Sequence, residues 1–477
     1  MTMHLKKNRR SLLGFALLAF LPLLFGFFGS ENNDELASFN NLFSEGKYNE
    51  AAQFALTCKG DKACDSSKLL QSLQAAAALR CAGKLTESNE IFDECEEVIK
   101  YHDKKFMGCD AVSNFEALLV NDSMLDYEGA EYDGIMINTY KALNFWKAGK
   151  IDLARTEFNR ALERQTRAKE RYADKIQKQK EAIAQKQDEE QKKAASAGNS
   201  EPPLDYQKNL ANPEVEKILQ QEYSTLYEFQ AYPDFINPFA TYLAGLFFMS
   251  QGDYSNSVNY LKEAYGMVDK NSVVADDFAA VNKKKSSKKF VWIIFENGLG
   301  PEKEEFRMDL PLFIVSDKVQ YTGIALPKLR LRESAYPHLT VKVNGKDACK
   351  TSVMASMDRV VQTEFKNEYD FILTRAIMCT LSKTYGQYQA QKKYGDWGGL
   401  AAAVYQAATT SADLRIWTSL PKEFQVAKVQ TPKNGSLTLS PPSGGDITVQ
   451  VAPEKSSLVY VKIPTPKAPA VYDVIPF

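Results

Sequence analysis

The chain has 477 residues and a mass of 53.5 kDa, more than one ordinary hydrophobic core holds, so we expect two or three domains. Apolar residues make up 44% of the chain and charged residues 25%, as in folded soluble proteins. The formal net charge of −1 argues against nucleic acid as a partner, because nucleic-acid-binding proteins usually carry a basic excess.

Residues 1–30 are predicted to be a targeting segment outside the fold. Two lysines and two arginines precede the apolar run Leu12–Phe28, which is at the short edge of a membrane span. No pair of small residues suited to signal cleavage follows the run. We therefore expect export to the periplasm with Leu12–Phe28 (residues 12–28) retained as a membrane anchor. The alternative is a cleaved signal and a soluble periplasmic chain.

Seven cysteines fit an oxidising compartment, and the odd number leaves at least one unpaired. The sequence does not decide the pairing among Cys58, Cys64, Cys81, Cys95, Cys109, Cys349 and Cys379. No Cys and His spacing predicts zinc, and no catalytic serine, metalloprotease or phosphate-loop motif occurs. We expect no catalytic site, metal or cofactor.

The stretch Asn237–Asp269 predicts two amphipathic helices joined by a turn at Gly252. Asn237 suits the N-cap of the first helix and Pro238 suits its first position. Small residues alternate with large ones on both helices, which lets the helices approach closely. This pattern resembles a tetratricopeptide (TPR) hairpin.

Three similar turns lie upstream, at Gly46, Gly83 and Gly149. Each of these glycines, like Gly252, is followed five places later by a small residue, namely Ala51, Ser88, Ala154 or Ser257. The spacings between the glycines are near multiples of the TPR period of about 34 residues. We predict a TPR-like helical array over residues 35–281. A helical bundle with glycine turns is the alternative.

The second helix of the third hairpin is predicted to continue far beyond its partner. Leu153–Ala195 contains neither Pro nor Gly and is rich in Arg, Lys, Glu, Gln and Ala, which favour helix. Within residues 160–212 we expect a long charged helix and a flexible tip, Ser196–Pro203, with Pro213–Phe229 available to pair on the return. Such a helix is usually a solvated surface; a docking arm is the alternative.

A Lys-rich linker at 282–289 separates the array from a predicted α+β domain over residues 290–477. Asn344-Gly345 signals a hairpin turn. The first predicted strands are Phe290–Phe295, Phe306–Val315, Val319–Leu326 and Leu339–Val343. Two helices follow, Met357–Gln391 and Leu400–Ala408, separated by a break at Gly395–Gly399. Strands with alternating apolar residues are predicted near residues 437–439, 447–451 and 459–463. The predicted fold class is α+β multidomain. The N-terminal part is an all-α TPR-like helical hairpin array with a long charged helical insertion. The C-terminal part is an α+β domain with an antiparallel sheet or sandwich.

First helices line the groove of a TPR array, and counting back from the turn glycines gives a set of mostly apolar groove residues. They are Met136, Thr139, Leu143 and Trp146 in one hairpin and Phe239, Tyr242, Leu246 and Met249 in the last. A bare apolar groove is costly in water, so something should cover it. The cover is either the chain itself, through Pro213–Phe229 or the C-terminal domain, or an apolar segment of an envelope partner.

Two polar groups lie beside predicted buried elements. The first comprises Glu296, Asn297, Lys303, Glu305 and Arg307, and the second comprises Asp413, Arg415 and Trp417. For the first we favour a tight turn with surface charge pairs over an active site. For the second we favour a ring stacked on arginine and an Asp–Arg pair that fix the helix to the sheet, over a ligand site.

Four segments are similar to an uncharacterised family of exported bacterial TPR-containing proteins that are often described as lipoproteins. The segments are Thr139–Gln165, Glu296–Leu312, Tyr321–Leu329 and Ala412–Pro421. The resemblance implies an envelope location and no established catalytic activity. A lipoprotein carries its acylated cysteine just after the apolar run, but here no cysteine precedes Cys58. This difference argues against a lipid anchor.

Together these features predict a non-catalytic cell-envelope scaffold whose TPR-like array binds a protein or peptide partner, in envelope or cell-wall assembly. The main alternative is a structural subunit of a larger membrane-anchored periplasmic complex that docks through the long charged helix. An envelope hydrolase is a distant third possibility.

Overall fold

The computed structural model describes residues 34–59, 68–108, 125–196, 213–233, 236–268, 271–282, 288–309 and 323–477. Several predicted features lie outside these ranges: segment 1–30 with its apolar run, the helix tip after Ser196, residues 283–287 of the linker, the end of strand Phe306–Val315, Cys64 and Cys109. Within the described ranges, no helix is both long and apolar enough to cross a bilayer.

The first half of the described chain consists of helices that pack as antiparallel hairpins. They are α1 (34–44), α2 (Tyr48–Lys59), α3 (Leu69–Cys81), α4 (Leu85–Gly108), α5 (Glu131–Lys147), α6 (Ile151–Ser196), α7 (Pro213–Glu222), α8 (Thr225–Glu228), α9 (Pro238–Ser250), α10 (Tyr254–Met267) and α11 (Ser272–Asn282). Pairs α1–α2, α3–α4, α5–α6 and α9–α10 are the predicted TPR-like hairpins. The predicted helical array is confirmed.

The turn glycines of these hairpins adopt the left-handed backbone conformation that favours glycine. Gly46, Gly83, Gly149 and Gly252 have φ of 77°, 78°, 71° and 74°. Gly46 also lies against another part of the chain, since an added Cβ would be 2.3 Å from Cδ of Pro469. The first hairpin turn therefore packs closely on the C-terminal half of the chain.

The small residues after the turns hold the two helices of a hairpin together. Ser88 Oγ donates to the carbonyl of Ala76 at 2.8 Å, and Ser257 Oγ donates to that of Gly245 at 2.8 Å. Both serines are fully buried. A Cβ on Gly245 would come within 2.8 Å of Leu261 on the facing helix, so small residues at these positions set the close packing.

The second half contains the strands and one helical hairpin. The strands are β1 (Phe290–Asn297), β2 (Glu302–Asp309), β3 (Gly323–Arg330), β4 (Thr340–Val343), β5 (Lys346–Lys350), β6 (Ser352–Ser356), β7 (Glu423–Gln430), β8 (Ser436–Ser440), β9 (Ile447–Gln450), β10 (Ser457–Ile463) and β11 (Val471–Pro476). The helices are α12 (Met357–Tyr394) and α13 (Asp396–Thr409). Asn344 and Gly345, with φ of 53° and 73°, form the predicted turn between β4 and β5.

The strands form a sandwich beneath the helical array. One sheet has the order β11-β10-β1-β7-β6, another β5-β4-β8-β9, and β2 pairs with β3 alone. Among the described strands, pairing is antiparallel except between β1 and β10, which are parallel. The predicted α+β region with an antiparallel sandwich is confirmed, and the parallel pair is an addition to it.

Alternation along β1 shows how the layers are arranged. Trp292 and Ile294 belong to the hydrophobic cluster that contains the helical array, whereas Val291, Ile293 and Phe295 pack with the four-stranded sheet. Successive side chains of a strand point to opposite faces. The five-stranded sheet is therefore the middle layer, with helices on one face and the second sheet on the other.

Two local predictions differ from the structure. The apolar helix after the glycine break begins at Asp396 instead of Leu400, because Gly395 alone leaves helical geometry, with φ of 69°. Segment Pro213–Phe229 does not lie in the groove: Leu219 and Tyr223 pack against β2, β3 and α12. Their aromatic and aliphatic side chains complete a separate small core there.

Candidate functional site

The groove residues are covered by the chain's own sheet. Six of them, Met136, Leu143, Trp146, Phe239, Tyr242 and Leu246, share one hydrophobic cluster with residues of β1, β6, β7, β10 and β11. Thr139 is fully buried and Met249 is half-buried against the same cluster. The structure thus places the five-stranded sheet over this face, so the chain itself is the cover, one of the two expected. Recognition of a partner by these residues stays a prediction.

Ring contacts show how tightly the sheet is fitted to the array. Phe239 of α9 stacks on Phe424 of β7, with ring centroids 3.6 Å apart and planes at 4°. Trp146 of α5 contacts Phe477, with centroids 5.6 Å apart. Tyr242 donates its hydroxyl proton to Asp277 at 2.6 Å, and Trp292 Nε1 donates to the same carboxylate at 2.9 Å. Groove and sheet are joined by apolar packing and by buried hydrogen bonds.

Glu296 is fully buried between the sheet and the array. Its carboxylate accepts from Tyr140 of α5 at 2.8 Å, from Tyr460 of β10 at 2.7 Å, and from the ammonium of Lys462. The guanidinium of Arg80 lies over the rings of Tyr140 and Tyr460, 5.1 and 4.7 Å from their centroids. Burial opposes ionisation, but the charges of Lys462 and Arg80 hold the pKa of Glu296 below its ordinary value.

This arrangement differs from the surface turn favoured for Glu296 and Asn297. Both residues belong to β1, and the turn begins only at Gly298, with φ of 71°. Asn297 Nδ2 donates to the Tyr336 carbonyl at 2.7 Å and to Glu423 at 2.8 Å. These buried bonds connect layers of the fold.

The remaining members of the first polar group lie on β2. Glu305 accepts the backbone N–H of Ala412 at 2.8 Å and the Nε proton of Arg307. Arg307 also donates to the Thr410 carbonyl at 2.9 Å. These bonds attach the strand to the chain that follows α13. They do not bring Glu305 or Arg307 to Glu296 as one site.

The second polar group fixes the segment after α13 to the array. Arg415 donates to both carboxylate oxygens of Asp413, at 2.8 and 2.9 Å, and to the Leu125 carbonyl at 2.6 Å. Burial opposes ionisation of Asp413, but Arg415 and Lys303 hold its pKa below the ordinary value. The ring beneath the guanidinium is Tyr127, 5.8 Å away.

Trp417 has a different role from the stacked ring that the sequence suggests. Its ring contacts those of Phe92 of α4 and Tyr140 of α5, with centroids 6.0 and 6.1 Å away, and its Nε1 donates to Ser419 at 2.8 Å. Trp417 therefore packs the segment after α13 against two helices of the array. Among the described residues, no group of three His, Cys, Asp or Glu side chains is placed to hold a metal ion.

The charged helix α6 leaves the array as predicted. Tyr172 is its last buried side chain among those described, and from Ala173 to Lys192 the described side chains are exposed apart from half-buried Lys178. At about 1.5 Å per residue, Ala173 to Ser196 extends about 35 Å. Gln177 donates to Glu181 one turn on, at 2.8 Å, which supports the helix locally. The helix presents a long polar surface.

A cleft of about 610 Å³ lies at the base of this helix, between α4, α5 and α6. We call it the α4–α6 cleft. Its charged wall on α6 is formed by arginines three or four places apart, on one helix face, and acids of α4 and α5 face them. These residues are Arg160, Arg164, Arg167 and Arg171, with Glu96, Asp103 and Glu131 opposite. His102, buried beside the cleft, has no hydrogen-bond partner among the described residues.

Glu96 connects the lining of the cleft to a buried ionic network. Lys141, almost fully buried, contacts Asp93 at 2.6 Å, Glu96 at 2.6 Å and Glu157 at 3.0 Å. Burial opposes ionisation of Glu96, but bonds from Lys141, Asn138 and Arg164 lower its pKa to about 2. Glu96 is therefore ionised at neutral pH, and the ion pairs of Lys141 join α4, α5 and α6. Sequence reasoning missed this network, because its members come from three separate helices.

Comparison with known proteins adds little. No protein-family model matches the chain, and no curated protein matches it. A solved structure of kinesin light chain TPR-like repeats from Podospora anserina is 11% identical and covers 54% of this chain and 98% of its own, with a TM-score of 0.22. A TPR protein from Parabacteroides merdae is 11% identical over 52% of this chain and 98% of its own, with a TM-score of 0.14. The TPR-like hairpins are instead identified by the positive φ of their turn glycines and by the close packing of their helices.

Proposed function

We propose that this chain is a non-catalytic scaffold of the bacterial cell envelope that binds an envelope protein or peptide through α6 and the α4–α6 cleft. The observation that carries the proposal is that the array's groove face is covered whereas the later part of α6 is exposed. The face that would form a TPR groove is covered by the chain's own sheet, whereas the described side chains of α6 beyond Tyr172 are exposed, apart from half-buried Lys178.

The chemistry of this surface suits a polar protein partner. Acidic and basic side chains are interspersed along the cleft, and one of them, Glu96, is buried and paired with Lys141 and Arg164. A preorganised, mixed-charge surface selects partners by charge complementarity and rejects mismatched charges. The rim residues Glu163 and Arg167 are more than half exposed, so a partner can reach them.

The envelope location is proposed from the N-terminal sequence. A basic flank followed by the apolar run Leu12–Phe28 is the pattern of an exported chain with its N-terminus inside. In this proposal Leu12–Phe28 anchors the chain, and the array and α6 lie in the periplasm. The buried carboxylates Glu296 and Asp413 have structural partners, which supports a non-catalytic role.

The test exchanges two exposed charges on α6 without changing the net charge. In the variant Lys169→Glu/Glu181→Lys, we expect the fold to persist and partner binding to fall at least tenfold. Cells are treated with a chemical crosslinker or left untreated, and mild detergent extracts are then separated by size. A complex larger than the 53.5 kDa chain should form with the wild type and be lost in the variant.

The untreated extract separates the two kinds of scaffold. A large complex that survives without crosslinker identifies a permanent structural subunit, and a complex seen only after crosslinking identifies transient binding. A complex that is equally abundant in the variant, or a lone monomer after crosslinking, would contradict binding through α6.

A further inference from the structure

Helix α13 exposes an apolar face. Its outward side carries Trp397, Leu400, Ala401, Val404 and Tyr405, which we call the α13 apolar face. Trp397 is 79% exposed and Val404 is 56% exposed. Between Asp396 and Thr409 the sequence contains no other charged residue than Asp396. An exposed patch of this kind usually marks a contact surface.

The opposite side of α13 is firmly attached to α12. A Cβ on Gly398 would lie 2.5 Å from the Ala390 carbonyl oxygen, so the two helices are almost in backbone contact. Gln406, fully buried, donates to Thr384 at 3.1 Å, and Lys383 donates to the Thr409 carbonyl at 2.9 Å. These contacts fix the orientation of α13, so its apolar face stays directed outward.

The surroundings of the face indicate what it contacts. Trp397 stands one turn beyond the end of α12, where Lys392, Lys393 and Tyr394 are exposed, and the Lys393 ammonium lies 5.1 Å from the Tyr394 ring centroid. Aliphatic side chains bordered by Trp, Tyr and Lys are the composition of helices that lie in a membrane interface. The lysines complement anionic lipid headgroups.

We propose that the α13 apolar face inserts into the surface of a phospholipid bilayer. A second copy of the chain fits less well, because a stable protein interface buries about 800 Å² on each partner, from about 20–30 residues a side. Five side chains on one 14-residue helix supply far less. A bilayer needs no such area, since aliphatic and aromatic side chains of a single helix face can insert on their own.

The proposal goes beyond partner binding, since it concerns another face of the molecule and a lipid ligand. It depends on the proposed function only for placing a membrane nearby, where Leu12–Phe28 would hold the chain. The test below supplies the bilayer directly and does not involve α6, so the two proposals fail separately.

The four tryptophans make this face easy to observe. Trp146, Trp292 and Trp417 are buried, and the apolar run Leu12–Phe28 contains no tryptophan. The difference in fluorescence between wild type and Trp397→Phe therefore reports Trp397 alone. The full chain is reconstituted in vesicles of phosphatidylethanolamine and phosphatidylglycerol, with or without bromine on the acyl chains, and titrated with iodide as an aqueous quencher.

Brominated lipid should remove at least half of the Trp397 signal, and the vesicles should shield Trp397 from iodide. The double variant Leu400→Glu/Val404→Glu should lose both effects, while Leu153→Glu, at a similarly exposed leucine on α6, should keep them. Circular dichroism checks that the variants remain folded. Wild-type Trp397 that is open to iodide on vesicles would overturn the proposal. Shielding from iodide without quenching by bromine would also overturn it, because protein would then be the cover.

Discussion

Replacing Trp146 and Leu246 together by serine is expected to unfold the protein. Both side chains are almost fully buried, and Trp146 contacts Phe158, Phe247 and Phe477 with ring centroids 6.3, 5.3 and 5.6 Å away. Removing a buried Trp or Leu side chain costs about 2–5 kcal/mol each. The sum is comparable with a total stability of about 5–15 kcal/mol. Circular dichroism during urea unfolding measures the loss.

The matched control is Leu153→Ser, at an exposed leucine on α6, which should change stability by about 0.5 kcal/mol or less. The outcome shows whether the groove is covered by the chain's own sheet or by a partner. Loss of folding agrees with the sheet as the cover. A double variant that melts like the wild type and loses a partner would show that the groove recognises that partner and that the sheet contributes little.

Replacing Lys462 by methionine should cost about 3–5 kcal/mol at neutral pH, since it leaves the charge of Glu296 buried without its closest cation. The pH dependence follows from the lowered pKa of Glu296. In the wild type, ionised Glu296 contributes fully to the stability of the fold above its pKa in the unfolded chain, about 4.3. This contribution is lost as the pH falls through the lower pKa that Glu296 has in the folded chain. In Lys462→Met, protonation of Glu296 relieves the penalty.

Urea unfolding at pH 7 and pH 4 therefore tests the network. The cost of Lys462→Met should be larger at pH 7 than at pH 4, and Glu296→Gln in the same chain should recover part of it. Lys433→Met, at an exposed loop lysine, is the control and should have little effect at either pH. Equal, small effects for both lysines would show that Lys462 is not a structural partner of Glu296.

The helical part of the fold was predictable because its signals are local. A glycine at each turn, a small residue five places later and helical spacing are all read within one hairpin. The structure confirms each of these turns through the positive φ of its glycine. The Asn344-Gly345 turn was predictable for the same reason, since its residues adopt that conformation by themselves.

The sheet was less predictable because its pairing is not local. β1 pairs in parallel with β10, about a third of the chain away, and antiparallel with β7. No pattern within β1 names either partner. No separate signal in the sequence predicts β6, β7 or β11.

The sites show the same limit. Because the eight groove residues are mostly apolar, the sequence predicted that they are covered. Which element covers them depends on tertiary packing. Glu296 follows a buried apolar strand and suggested a surface turn. It is buried because β1 continues to Asn297 and because Arg80 and Tyr140, far earlier in the chain, meet it there. The Lys141 network was missed for that reason as well.

In the proposed arrangement, a partner binds α6 while the sheet covers the groove. The most direct measurement places a photoreactive benzophenone amino acid at Gln177, exposed on α6, or at Met249, the half-buried groove residue, in the full chain within the native envelope. After illumination, we expect an adduct with another protein from Gln177 and none from Met249. An adduct from Met249, with none from Gln177, would contradict it.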